Sequence, residues 1–162
     1  MRLLIAAVGR KGPFDGATGD YLHRAAKLGR GLGLTGPDLV AVDAPRALAG
    51  AVRREREGAL LLGALPERAR VVLLDEGGTQ LGSRDVAGLI EEERARGTAC
   101  LAFLIGGADG FAEDVRLAVR PQLAGTLAFG RATWPHMLVR LMVAEQLYRA
   151  ATIGAGHPYH RD

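Results

Sequence analysis

Short apolar runs alternate with helical patterns along the chain, and this alternation constrains the fold more than any other feature of the sequence. The first four runs are continuously apolar and have the length of strands buried on both faces. Helical patterns separate the runs, so we expect an α/β domain whose mostly parallel sheet is flanked by helices. The runs occupy residues 3–8, 39–42, 71–74, 99–105 and 123–129.

Three loops that follow predicted strands indicate where a ligand would bind. They occupy residues 75–78, 106–110 and 129–134. Ligands of parallel α/β proteins bind at the carboxyl ends of the strands, where backbone groups are free. Gly106 and Gly107 would let a ligand approach the backbone closely. Such a pair alone is typical of a tight turn, but three loops at one edge favour a small-molecule pocket.

The last helical pattern, residues 136–153, is apolar on nearly all sides. Such a helix must be buried on more than one side, so we expect it to pack on the sheet and on a second subunit. Glu145 and Arg149 have the spacing of an i,i+4 ion pair. Arg140 has no acidic residue at that spacing, which makes it a candidate for contact with RNA or with a partner chain.

Length and composition place the chain in a broad class. The 162 residues predict a single domain spanning residues 1–162. No apolar run reaches the roughly 18 residues of a membrane span, and the first run, followed by Gly9-Arg10-Lys11-Gly12, fits a strand better than a signal peptide. Cys100 is the single cysteine, so we expect a buried, inert thiol and a reducing cytoplasm.

Charge and histidine content leave several functions open. The net charge of +3 is too small to establish a nucleic-acid partner. The charged block at residues 53–57 fits a solvent-facing helix better than a phosphate contact. His157 and His160 are three residues apart, but no cysteines or carboxylates complete a ligand set, so we expect no metal site.

Four motifs connect the sequence with a known family. They are LIGGADG at residues 104–110, PHMLVR at residues 135–140, AEQLYRA at residues 144–150 and GHPYHR at residues 156–161. In order and spacing they resemble the ribosomal RNA large subunit methyltransferase H family. These are small SPOUT-class enzymes that methylate N3 of a pseudouridine in bacterial 23S rRNA. The resemblance is strong from Leu101 onward and looser before it.

The resemblance implies a SPOUT-type fold with a C-terminal trefoil knot, a homodimer, and the large-subunit rRNA of an assembled ribosome as substrate. It also implies that S-adenosyl-L-methionine lies against the three loops. One departure is Gly130, where related sequences tend to have a serine, and another is residues 44–46, which replace a Lys-Arg-Gly-rich loop. By motif, the implied cofactor contacts are Leu74, Gly106, Gly107, Phe129, Gly130, Arg131, Ala132, Thr133 and Trp134.

The resemblance also directs attention to the tail as a source of catalytic groups. Tyr159 would stack on a base, Arg161 would bind a phosphate and His160 would handle a proton, all in the partner's pocket. A tail that only seals the dimer is an equally good interpretation. The proton acceptor could be His160, His157, Glu145 or water. A non-catalytic ribosome-binding or assembly factor on the same knotted fold is the main alternative function, and a tRNA methyltransferase is a third.

Overall fold

A computed structural model describes residues 1–45 and 47–161. Its core is one five-stranded sheet, in which every neighbouring pair of strands runs parallel and the strand order is β2-β1-β4-β3-β5. The strands are β1 Arg2–Val8, β2 Thr35–Val42, β3 Arg70–Gln80, β4 Cys100–Ile105 and β5 Leu123–Ala128. The α-helices are α1 Asp15–Gly29, α2 Gly50–Gly63, α3 Ser83–Ala95, α4 Glu113–Val119 and α5 His136–Gly154.

Helices cover both faces of the sheet, because the central strands are apolar on both sides. Within β1, Leu3, Ile5 and Ala7 pack against α1, α3 and α5. The alternate residues of the same strand, among them Leu4, point to the opposite face, where α2 and α4 pack. This three-layer arrangement confirms the predicted parallel α/β fold. The trefoil knot and the single-domain boundary stay predictions.

Strand β3 is longer than the sequence pattern predicts. It continues to Gln80, so residues 75–78 belong to the strand and not to the predicted loop. Its pairing with β5 shifts register between Leu74 and Thr79, both of which pair with Leu127. The four intervening residues therefore bulge out of the ladder. The prediction was wrong about the loop, but these residues still lie at the carboxyl end of the core strands.

Helix α5 is the long apolar helix of the sequence pattern. Seven of its residues are buried, among them Val143 and Leu147, and it lies against α1, α3 and the sheet. The prediction of burial on more than one side is confirmed within one chain, whereas the second subunit stays a prediction. Among residues 1–45 and 47–161, no helix combines the length and the apolar character required to cross a bilayer.

Candidate functional site

The strongest candidate site is a cavity of about 460 Å³ at the carboxyl ends of β3, β4 and β5. Every cofactor contact predicted from the sequence lines it, with the exception of Arg131. Arg131 is exposed on the loop that follows β5. The predicted lining residues are Leu74, Gly106, Gly107, Phe129, Gly130, Ala132, Thr133 and Trp134. The structure therefore brings together three segments that lie far apart in the chain.

The glycines after β4 are required by close approach. A Cβ atom on Gly107 would lie 2.5 Å from Glu57 Oε2, and one on Gly106 would lie 3.1 Å from the carbonyl carbon of Gly110. The Gly110 N–H donates to the Gly107 carbonyl at 3.1 Å, which closes the turn. Side chains at these two positions would push the turn away from α2 or into the cavity.

The other two segments are also fixed by hydrogen bonds. Asp75 forms an ion pair with Arg116 and accepts a hydrogen bond from the Gly77 N–H at 2.9 Å. Across the cavity, the Trp134 Nε1–H donates to the Phe129 carbonyl at 2.9 Å and closes the loop between β5 and α5. Both walls are therefore preorganised, which lowers the entropic penalty of binding a ligand.

The shape and chemistry of the cavity fit S-adenosylmethionine. Its volume lies within the range of small-molecule sites. Leu74, Ile105 and Leu127 provide apolar walls suited to a planar base. Gly106, Gly107 and Gly110 of the turn line the cavity, and their lack of side chains lets a ligand approach the backbone closely.

His136 lines the cavity, although sequence reasoning did not consider it as the proton acceptor. Burial lowers the pKa of its imidazole, the nearby Arg140 cation lowers it further, and Glu57 opposes the shift. The positive end of the α5 dipole acts in the same direction, because His136 is the first residue of that helix. A neutral imidazole can accept a proton. The available sequence indication was a histidine directly after Pro135 at a helix start.

Arg140 is buried, so the prediction that it contacts RNA or a partner chain was wrong. Its side chain is 1% exposed and donates hydrogen bonds to the carbonyl oxygens of Val8 and Gly9. Its nearest carboxylate oxygen, on Asp15, is 3.8 Å away. Arg140 therefore holds the end of β1 against the first turns of α5, beside His136.

The charged block of α2 is divided between two faces of the helix. Glu57 is 4% exposed and accepts a hydrogen bond from Arg53 Nε at 2.8 Å, and Arg54 lines the cavity. Glu55 and Arg56 are exposed. The prediction of a solvent-facing block was therefore wrong for Glu57, whereas Arg53 and Arg54 are half-buried.

The tail residues Tyr159, His160 and Arg161 do not line the cavity of their own chain. Helix α5 has 19 residues and is therefore roughly 28 Å long; His136 is at one end and the tail follows the other. Tyr159 and His160 are half-buried and Arg161 is exposed. The structure thus brings the predicted cofactor contacts together but does not bring the predicted catalytic residues to them within one chain.

Tyr159 is held by a cluster on the last turns of α5. Its ring centroid is 4.7 Å from that of Tyr148, and its hydroxyl lies 3.2 Å from Glu145 Oε1. Burial raises the pKa of Tyr159, and hydrogen bonding with Tyr21 and the Glu145 carboxylate raise it further. The phenol therefore stays protonated at neutral pH and can donate a hydrogen bond.

Two other predicted groups have clear environments. Glu145 accepts hydrogen bonds from Arg149 and Gln146, which confirms the predicted i,i+4 pair. Cys100 is buried at the start of β4, and burial raises the pKa of its thiol. This confirms the predicted buried thiol. Because its pKa is raised, the thiol stays protonated and is not a reactive thiolate.

Comparisons with known proteins agree with this geometry. A family model described as "Predicted SPOUT methyltransferase" matches residues 1–160. Ribosomal RNA large subunit methyltransferase H of Hyphomonas neptunium is 52% identical over 163 residues, covering 99% of both chains. The protein of the same name from Paracoccus denitrificans is 49% identical over 164 residues, covering 100% of both chains.

A solved structure supports the fold independently of sequence identity. It is a ribosomal RNA small subunit methyltransferase E from Neisseria gonorrhoeae bound to S-adenosyl methionine, with a TM-score of 0.50 and 12% sequence identity. The match covers 96% of the present chain and 66% of that structure. On the full-length family match and the identity to these relatives, the chain belongs to the ribosomal RNA large subunit methyltransferase H family of SPOUT methyltransferases.

Proposed function

We propose that this protein is an S-adenosylmethionine-dependent methyltransferase that modifies N3 of a pseudouridine in large-subunit rRNA. The observation that carries the proposal is the cavity at 106–110 and 129–134, built where parallel α/β folds bind ligands. The names of the relatives supply the substrate class. An enzyme of this kind acts on ribosomes in the cytoplasm.

Methyl transfer to N3 requires that the protein position the two reactants and accept one proton. S-adenosylmethionine, when bound, supplies the methyl group, and its sulfonium sulfur leaves as a neutral thioether. The fixed walls at Asp75 and Trp134 orient the ligand for an in-line displacement. The N3–H proton of the imide must leave for that nitrogen to attack, and the neutral imidazole of His136 is positioned to accept it.

The tail contributes from a second subunit in this proposal. Within one chain Tyr159 packs against Glu145 and Tyr148, and Glu145 lies roughly 14 Å along α5 from His136, so the tail does not line its own cavity. Leu138, Leu141 and Met142 remain only half-buried on α5, which fits a homodimer interface on this helix. Dimerisation would bring one chain's tail to the other chain's cavity. There Tyr159 donates a hydrogen bond to the substrate, and Arg161 binds a phosphate.

The first experiment is a calorimetric titration with S-adenosylmethionine. Wild-type protein is expected to bind, and Gly106→Arg is expected to lose binding because its side chain would fill the cavity. Gly19→Arg is the matched control, since Gly19 is an exposed helical glycine with no atom within 4 Å of an added Cβ. Labelled methyl transfer to large ribosomal subunits then tests the reaction. Absence of wild-type binding would favour a ribosome-binding protein without catalysis.

The composite site is tested by mixing two inactive chains. A chain truncated after Gly156 keeps its cavity, and a Gly106→Arg chain keeps its tail. When the two are co-expressed, mixed dimers are expected to regain methylation, because one intact cavity meets one intact tail. If no activity returns although mixed dimers form, the tail does not act in the partner's cavity.

A further inference from the structure

Helix α2 presents one arginine to the cavity and another to solvent. Arg54 lines the cavity next to the turn at 106–110, whereas Arg56 is exposed on the other side of the helix. The Arg54 Nε–H is buried and donates to no acceptor within the described residues. An arginine nitrogen that is shielded from water and lacks an acceptor is costly, so a ligand acceptor at this position would stabilise it.

Other exposed cations lie on loops at the same edge of the sheet. Arg10 and Lys11 are exposed on the loop after β1, and β1 lies beside β4 in the sheet. Arg131 is exposed on the loop before α5, at another side of the opening. These residues and Arg54 form what we call the basic rim. Within residues 1–45 and 47–161, no carboxylate forms an ion pair with any member of the rim.

The basic rim differs from the other arginines at this edge of the sheet. Arg53 is paired with Glu57 at 2.8 Å, and Arg116 with Asp75. Arg140 is buried on the carbonyls of Val8 and Gly9. Their charges are committed to the fold, whereas those of the rim are available to a ligand.

We propose that the basic rim binds the phosphodiester backbone of the substrate RNA, with Arg54 as the contact nearest the cavity. The inference rests on the proposed methylation of large-subunit rRNA. RNA fits this arrangement because it carries one phosphate per nucleotide, so several cations on different elements can each meet one. A guanidinium fork suits bidentate contact with a phosphate. Phosphate contacts position the nucleic acid without reading its sequence.

The test compares Arg54→Ala with Arg56→Ala, two charge-removing substitutions on one helix. Steady-state methylation of large ribosomal subunits that lack the modification is measured at several salt concentrations. Arg54→Ala is expected to raise KM for the subunits about tenfold, as expected for loss of one charged hydrogen bond, with kcat unchanged. The slope of log KM against log salt should decrease by about 0.7 to 0.9, the value for one phosphate contact. Arg56→Ala is expected to change neither quantity.

Titration with S-adenosylmethionine separates phosphate binding from a contact with the carboxylate of the methyl donor. Arg54→Ala is expected to leave the Kd for S-adenosylmethionine within twofold of the wild-type value. A weakened Kd together with unchanged KM and salt slope would overturn the proposal and assign Arg54 to the cofactor. Equal KM values for the two variants would also overturn it. Failure of the proposed function is distinguishable, because the wild-type protein itself would then methylate no subunits.

Discussion

The two ends of α5 carry polar residues with opposite relations to the fold. At the first turns, Arg140 is 1% exposed and its charge faces backbone carbonyls, with Asp15 as a distant partner. At the last turns, Arg149 is closely paired with Glu145, and Tyr159 of the tail packs over the pair. The first turns of α5 lie beside the cavity, and its last turns contact the tail.

This difference fits the proposed composite site, in which the cavity of one chain meets the tail of a second chain. At the cavity end, Arg140 Nη2 donates to two backbone carbonyls inside the fold, whereas its Nε and Nη1 are buried without a hydrogen-bond partner. The tail end is held by a small cluster in which Tyr159 contacts Glu145, Tyr148 and Arg149. A substitution at the first end should therefore affect stability, whereas a change at the second should mainly affect catalysis.

Truncation after Gly156 should have the largest effect on activity. It removes Tyr159, His160 and Arg161 and leaves the cavity intact. We expect methylation to fall by at least about 100-fold, the magnitude typical of losing an acid–base group, with the Kd for S-adenosylmethionine unchanged. Methyl transfer and calorimetry on the same preparation measure both quantities. Full activity of the truncated protein would show that the tail has no role in the reaction.

Arg140→Met should have the largest effect on stability. It leaves the Val8 and Gly9 carbonyls without their donor, for a loss of about 2 kcal/mol of unfolding free energy and a fall in Tm of roughly 5 °C. Arg149→Met is the control on the same helix. It is expected to lose about 1 kcal/mol or less, since its ion pair is partly exposed. Equal losses from the two variants would contradict the proposed difference between the ends of α5.

The sequence predicted the strands, the helices and the glycine turn at 106–110 well, because these depend on local patterns. Five strand runs and the glycines at 106 and 107 each have a clear periodicity or conformational meaning. The register shift in β3 was missed because it depends on the pairing of Leu74 and Thr79 with the same residue of β5. Nothing within the β3 segment itself indicates that pairing.

The charged residues were predicted least well, because burial of a charge depends on distant partners. Arg140 lacks an acidic neighbour at helical spacing, but its partners are carbonyls 131 and 132 positions away in the chain. Glu57 belongs to a charged block, yet it packs behind Gly107. In both cases the tertiary structure places a charge inside where the local pattern predicts solvent.

The pH dependence of stability should show that His136, at the cavity end of α5, is held neutral in the folded protein. Burial and Arg140 lower the pKa of His136 in the folded state, so the unfolded chain binds its proton first as the pH falls below about 6.5. Stability is therefore lost between that pH and the folded-state pKa. We expect the Tm of the wild type to fall more from pH 7.5 to 5.5 than that of His136→Asn. The control His23→Asn, at an exposed position, should show the same fall in Tm as the wild type. If His136→Asn also shows that fall, His136 is not held neutral in the folded protein.

Tyr159→Phe should have the smallest effect on stability, and it sharpens the comparison at the tail end of α5. The substitution removes the hydroxyl that contacts Glu145 at 3.2 Å but keeps the ring contact with Tyr148 at 4.7 Å. We expect a loss of about 0.5 to 1 kcal/mol of unfolding free energy, seen in urea denaturation, and no change in the Kd for S-adenosylmethionine. Because the pKa of Tyr159 is raised by burial, its phenol is a donor and not a base. In the proposed composite site this hydroxyl donates a hydrogen bond to the substrate, so methylation should fall more than the stability loss explains. Unchanged methylation would contradict that hydrogen bond.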